Sequence, residues 1–403
     1  MRQLRQRTTG LALLAAVISL GPVRAAGQAF GPEAIGFTKH FALDIVNPSP
    51  LTLEDHAIVI DVDAIRASAA SDFNTYMYAI FDNARGEYAL VVSQADDLDG
   101  DRYHDEIALV RTLPASSTTR LLCYYTPERS YQLMATSKAF ARGGWEPGGA
   151  GAGWESNLAA YKFVGGRIGF YGKLESGLIL RTFPAAEAGA KEWGRDALDL
   201  EGSAGLGGLS LWDGAGRVPL YGPSAPAAEL IVISTGPVRA LVKATYPAVK
   251  TAAGEIVPTV FHSAFADNAY SRQDIVLAPK ARATRGTSVT FGPGVRKLIG
   301  EASAVEPSKG YVAAWGRGAA GAGEIGLAVV FDPGLYAGLD EEGPDRIVKL
   351  AAPAGVTSTY WVAGAWERGV AAPASPDAKG WARRIADLAV RLLSPVKVEF
   401  KAP

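Results

Sequence analysis

The sequence predicts an all-β protein of mainly antiparallel strands, arranged as a sandwich, with one amphipathic helix near the C-terminus. Three observations carry this expectation. Short β-branched and aromatic runs recur at close intervals between polar turns. No glycine-rich phosphate loop follows any of these runs and none leads into a long helical pattern, which argues against a Rossmann or P-loop array. Helical spacing shows in one place, where Trp381, Ile385, Leu388 and Leu392 recur among Arg383, Arg384 and Arg391.

Taken in order, Arg2, Arg5 and Arg7 precede the apolar stretch 11–20 and the small-residue sequence Val23-Arg24-Ala25-Ala26. That is the pattern of a secretory signal peptide cut after Ala25, so a periplasmic or secreted protein is expected. No run reaches the roughly 20 apolar residues of a membrane-spanning helix, so membrane insertion is not expected. The β segments 41–45, 57–62, 76–81, 88–93, 106–113 and 120–125 make an N-terminal sandwich part, assigned to 26–141. The stretch 142–153 holds Gly143, Gly144, Gly148, Gly149 and Gly151 with Pro147; it reads as a flexible loop and as the internal boundary.

Beyond it, 154–403 forms the larger part, with β segments 158–164, 168–171, 229–234, 238–246, 256–265, 273–277, 288–291, 311–315, 325–331 and 359–366. Ser375-Pro376-Asp377 supplies a cap and first turn for the helix near 376–393. Its arginines read as a solvated face, and a last strand at 396–400 follows. One continuous domain instead of two parts remains open.

Lys and Arg number 40 against 41 Asp and Glu, a formal net charge of -1. With no basic domain, nucleic acid is not an expected partner. His40, His56, His104 and His262 are scattered without HxH or HExxH spacing, which argues against a histidine-built zinc site. No pattern calls for an organic cofactor. The lone cysteine, Cys123, cannot form an internal disulfide and reads as a small buried hydrophobe.

The sharpest local motif is Asp96-Asp97-Leu98-Asp99-Gly100-Asp101-Arg102-Tyr103-His104-Asp105-Glu106. Asp97, Asp99, Asp101 and Asp105 are spaced so that a tight loop could wrap oxygens around one calcium ion, structural in role; an acidic hairpin turn is the alternative. A second group is Trp154-Glu155-Ser156-Asn157 with Tyr161, Lys162, Arg167, Tyr171 and Lys173. Sugar sites need such a mixture, because aromatic faces stack on the C–H face of a pyranose while charged groups orient its hydroxyls or carboxylate. A third is Trp193-Gly194-Arg195-Asp196, followed by the glycine run 202–208, read as a surface loop lining a cleft. Further on lie Arg239, Arg272 and His262, the last a candidate general base because an unperturbed imidazole exchanges protons near neutrality.

Five stretches together resemble the bacterial secreted family called domain of unknown function 4861: 93–101 with Asp105-Glu106, Trp154-Glu155-Ser156, Trp193-Gly194-Arg195-Asp196 with its glycines, Gly236-Pro237-Val238-Arg239, and Trp315-Gly316 with Gly326-Leu327-Ala328. The likeness covers roughly 41–368. Arg102 departs from a usual glycine and Lys162 from a common arginine. The resemblance implies a β-supersandwich of the galactose-mutarotase type and a role in degrading uronate-containing polysaccharides. Three function classes follow. The first is β-elimination on a uronic-acid polysaccharide or its oligosaccharides, with Arg239 or Lys162 neutralising the carboxylate and His262 or Tyr161 taking the proton. The second is hydrolysis by Glu155 and Asp196. The third is a non-catalytic glycan-binding module. Trp154, Trp193, Arg195 and Arg272 would bind the saccharide in each case.

Overall fold

The computed structural model describes residues 32–84, 86–128, 135–144, 150–181, 190–280, 287–341 and 343–401. The leader assigned to 1–25 lies outside them. The fold is antiparallel β throughout its main sheets, as expected.

In the N-terminal part a five-stranded sheet, ordered Lys397–Lys401, Lys39–Asn47, Ser117–Tyr125, Tyr78–Asp82, Ala89–Val91, faces a three-stranded sheet ordered Leu53–Asp61, Glu106–Leu113, Ser93–Asp96. Alternation along Lys39–Asn47 turns Phe41, Leu43 and Ile45 into the core between them, where they meet Ile58, Ile60, Ile107, Leu109 and Cys123. Burial pushes the Cys123 thiol far up, which makes it inert. The C-terminal strand Lys397–Lys401 pairs with Lys39–Asn47, so the last residues of the chain complete the first sheet. A short helix, Val62–Ser68, was not anticipated; Asp61 caps it by accepting from the Asp63 and Ala64 amides.

The larger part is built on a nine-stranded sheet whose order runs Glu229–Ser234, Arg239–Thr245, Gly254–Phe265, Tyr270–Pro279, Thr357–Trp366, Glu324–Phe331, Tyr311–Arg317, Ile299–Glu306, with Val249–Thr251 beside Gly254–Phe265. One face packs on two further sheets: a six-stranded one that includes Ala139–Gly143, Ala152–Ser156, Ala160–Val164 and Arg167–Lys173, and a five-stranded one that includes Leu206–Trp212, Ser288–Arg296 and Asp345–Pro353. The other face carries the helix Ala378–Leu392. Strand Tyr311–Arg317 serves both sides: Val312 and Ala314 enter the inter-sheet core, while Tyr311, Ala313 and Trp315 pack under the helix.

Asp377 caps that helix through the Gly380 amide at 2.7 Å, and Trp381, Ile385, Leu388 and Ala389 are its buried face. Burying Ile385 and Leu388 contributes roughly 1.5–3 kcal/mol each.

Of the two glycine-rich segments, the second differs from expectation. Strands Ala139–Gly143 and Ala152–Ser156, at the two ends of the first, pair with one another, and residues 145–149 between them lie outside those described. The run 202–208 leads directly into Leu206–Trp212, a strand buried along nearly its whole length, rather than a surface loop. A Cβ on Gly207 (φ +105°) would lie 2.8 Å from Val362 Cγ1, and one on Gly208 2.5 Å from the Ala204 carbonyl. These glycines permit close layer packing.

Candidate functional site

Most residues nominated by sequence are inside the protein. Trp154, Tyr161 and His262 do come together, but between the nine- and six-stranded sheets, at no more than 2% exposure. The Trp154 and His262 rings stack at 4.8 Å, and Trp154 Nε1 donates to Ser271 Oγ at 2.8 Å. His262 Nδ1 shares a hydrogen with Gln273 Oε1, and burial drives its pKa down to about 4. Tyr161 donates to the Ala269 carbonyl at 2.8 Å, and burial raises its phenol. None of the three can meet a substrate from this position, so the acid–base and stacking roles given to them are corrected.

Glu155 is equally enclosed. Lys173 Nζ donates to its Oε2 at 2.5 Å, and the Ile179 and Leu180 amides donate at 2.9 and 2.7 Å. Burial lifts the Glu155 carboxyl and lowers the Lys173 ammonium, with their mutual attraction opposing both shifts. Arg239, also buried, donates from Nε to Asp96 at 2.7 Å and from Nη1 to Glu106 at 2.8 Å. Gln94 bonds the same segment through the Val238 and Arg239 amides. Ala57, Val59, Ala108 and Val110 pack there on Val238 and Phe265. Arg239 is thus the joint between the two parts, not a carboxylate-binding cation.

Lys162 is ion-paired to Asp196 and lies over the Tyr171 ring, which Trp193 meets edge-on at 5.9 Å. Arg195 donates to the Ala320 and Gly321 carbonyls and ties down that loop. The hydrolytic pair Glu155 and Asp196 is therefore neutralised by two separate lysines.

In the acidic loop, Asp97, Asp99 and Asp105 bring carboxylate oxygens within 4.8 Å of one another. That spacing fits one hard cation held by oxygens. Asp101 stands outside the triad, its carboxylate accepting from the Tyr103 amide at 2.7 Å. Burial, with Asp99, Asp97 and Asp101 adding repulsion, raises Asp105; the Gly100 and Arg102 amides hold Asp97 low against burial. Arg102 has φ +76°, a left-handed backbone that explains why glycine is usual there and that costs an arginine roughly 1–2 kcal/mol.

The open site lies elsewhere, in a cleft between the N-terminal strand Leu53–Asp61, the outer face of the nine-stranded sheet and the C-terminal helix. Two cavities join along His56, Tyr270 and Leu392. The larger, about 730 Å³, is lined by Arg272, Trp361, Thr359 and Asp332; the smaller, about 250 Å³, by Arg384, Arg391, Asp55 and Trp381. Strand parity decides this: Tyr270 and Arg272 point into the cleft, whereas Ser271 and Gln273 point inward to Trp154 and His262. Of the nominated residues, Arg272 alone belongs to the cleft.

Arg272 donates to Asp274 at 2.9 Å. Arg384 donates to the Ala372 carbonyl at 2.9 Å and has no carboxylate partner among the described residues. Arg391 has neither hydrogen bond nor ion pair among them. Arg384 and Arg391 are half-buried, which corrects their reading as a solvated face. Burial, Arg272 and Arg391 together lower the His56 pKa to about 4. Sequence reasoning missed His56, Tyr270, Arg384 and Arg391; the seven-residue interval between the two helix arginines was the available signal.

Fold and cleft together define a protein of layered antiparallel sheets whose two parts enclose a polar, aromatic-lined groove. The chain belongs to the family Domain of unknown function (DUF4861), whose model matches residues 45–398. Among solved structures it is similar to an alpha-mannosidase from Enterococcus faecalis V583, at 9% identity and TM-score 0.47 over 90% of this chain and 46% of that one. It is also similar to a protein in glycosyl hydrolase family 38 from Enterococcus faecalis, at 8% identity and TM-score 0.48 over 91% and 48%. The chain spans about half the length of both. No curated protein matches it.

Proposed function

We propose that the protein binds and acts on an acidic saccharide in the cleft between its two parts. The observation that carries this reading is the pair of half-buried guanidiniums, Arg384 and Arg391, that face the cleft without a carboxylate partner, with the half-buried Trp361 farther along it. A partly desolvated cation without a counter-charge is costly, and a ligand carboxylate would remove that cost through charge-assisted hydrogen bonds. The half-buried Trp361 ring offers a face for the C–H side of a sugar, and Asp55 offers an acceptor for hydroxyls.

β-Elimination on a uronic acid is the reaction these groups would serve best. Arg391 or Arg272 neutralises the carboxylate and acidifies the C5 proton. His56, uncharged near neutral pH, takes that proton; its electron pair forms the C4–C5 double bond as the C4–O bond breaks. The departing oxygen takes a proton, for which the Tyr270 hydroxyl is the neighbouring donor. Calorimetric titration with galacturonate and mannuronate oligomers should give binding that Arg391→Met weakens at least tenfold, and ultraviolet absorbance of the unsaturated product should grow on turnover. Binding without absorbance would end the elimination reading and leave a glycan-binding module; no binding to any uronate would end the acidic-saccharide reading.

A structural calcium ion held by Asp97, Asp99 and Asp105 is a separate proposal. Calcium should raise the melting temperature and release heat on titration; neither effect would leave an acidic turn. Export through a cleaved leader completes the picture, and fractionation of cells for the mature chain tests it.

A further inference from the structure

We infer that the cleft takes an oligouronate of at least two units, each ring presenting its own carboxylate, and not a single sugar acid. This rests on the acidic-saccharide reading of the cleft.

The helix Ala378–Leu392 sets the spacing. Arg384 and Arg391 are seven residues apart, two turns on one face, which puts their backbones about 10 Å apart along the axis. A hexuronate ring has one carboxylate and cannot neutralise two cations so separated; two linked rings can. Arg384 and Arg391 line the smaller chamber, while Arg272 and Trp361 line the larger. His56 and Tyr270 form the waist between them, and both feel the Arg391 charge. The cations therefore run across the cleft as a row, Arg384 and Arg391 in the smaller chamber and Arg272 in the larger.

The acidic groups facing this row do not cancel it. Asp267 is engaged by Lys138 and Asn157, and Asp274 by Arg272 and Thr359. Glu54 and Asp55 on the smaller chamber and Asp332 on the larger remain as acceptors for hydroxyls. A chain of alternating carboxylates and hydroxyls matches such a lining. One chamber would hold each ring, with the linkage at the waist beside His56.

The test is affinity against chain length, measured by calorimetry on the mature protein with mono-, di- and trimers of galacturonate and of mannuronate. In the series that binds, the dimer should bind at least tenfold more tightly than the monomer. Arg384→Gln should abolish that gain, with the dimer losing more affinity than the monomer, whereas Arg391→Gln should weaken every length. If Arg384→Gln does not fold, Arg384→Lys should retain part of the length dependence with an unchanged melting temperature. A dimer no tighter than the monomer, or an Arg384 variant that weakens both alike, overturns the two-carboxylate inference while the cleft reading survives. Failure of every uronate to bind removes the cleft reading itself.

Discussion

Replacing Lys173 with methionine asks whether Glu155 is a structural charge or a catalytic acid. Both side chains have 0% exposure. The lysine ammonium is held by Glu155 Oε2, the Ser156 carbonyl at 2.6 Å and the Gly177 carbonyl at 2.7 Å. Methionine removes the cation and leaves a carboxylate in the interior with only the Ile179 and Leu180 amides to stabilise it. Stranding one member of a buried pair costs about 3–5 kcal/mol, roughly two to three and a half decades in the folding equilibrium at about 1.4 kcal/mol per decade.

Adding Glu155→Gln should restore most of the loss, because the amide carbonyl still accepts from a backbone N–H and no charge is left behind. The double variant should therefore show a coupling energy of at least ~2 kcal/mol. Urea unfolding followed by tryptophan fluorescence measures each variant, with equal m-values required before stabilities are compared. A Lys173→Met loss below ~1 kcal/mol, or a Glu155→Gln variant that keeps its stability yet loses turnover, would refute the structural account.

Two further outcomes follow from buried groups. His262 has its pKa depressed to about 4 from 6.5, so its contribution is fully present above pH 6.5 and falls away as the pH drops toward 4, where the unfolded chain takes a proton that the folded chain refuses. About 3 kcal/mol is lost across that window; His262→Gln should flatten the stability–pH curve by that amount relative to wild type, and parallel curves would contradict it. Arg239→Met should lower the melting temperature and split the calorimetric transition in two, because Asp96 loses its counter-charge and the two parts lose their joint; a single unshifted transition would count against that role.

The acidic loop shows how far spacing alone can reach. Three of its four aspartates converge as the spacing anticipates, yet Asp101 turns to the Tyr103 amide, a choice made by local backbone geometry that residue intervals do not encode. The interleaving of aromatics and charges after residue 153 was a real pattern, but it arose from a core that needs partners for its polar atoms: Trp154 finds Ser271, Tyr161 the Ala269 carbonyl, Glu155 Lys173. Aromatic and charged residues look alike in sequence whether a ligand or the protein's own interior satisfies them.

From the sequence by itself came the strand-rich class, the helix with Trp381, Ile385 and Leu388 on its buried face, its Asp377 cap, and the inert interior of Cys123, because each depends on periodicity or composition within a few neighbours. Tertiary structure alone decided which face of the nine-stranded sheet each charge takes. A one-residue difference in parity sends Arg272 to the cleft and Gln273 to the core. It also decided that Arg384 and Arg391 lie against the N-terminal part instead of water, because the cleft exists only where strand Leu53–Asp61, more than 300 positions earlier in the chain, packs beside them.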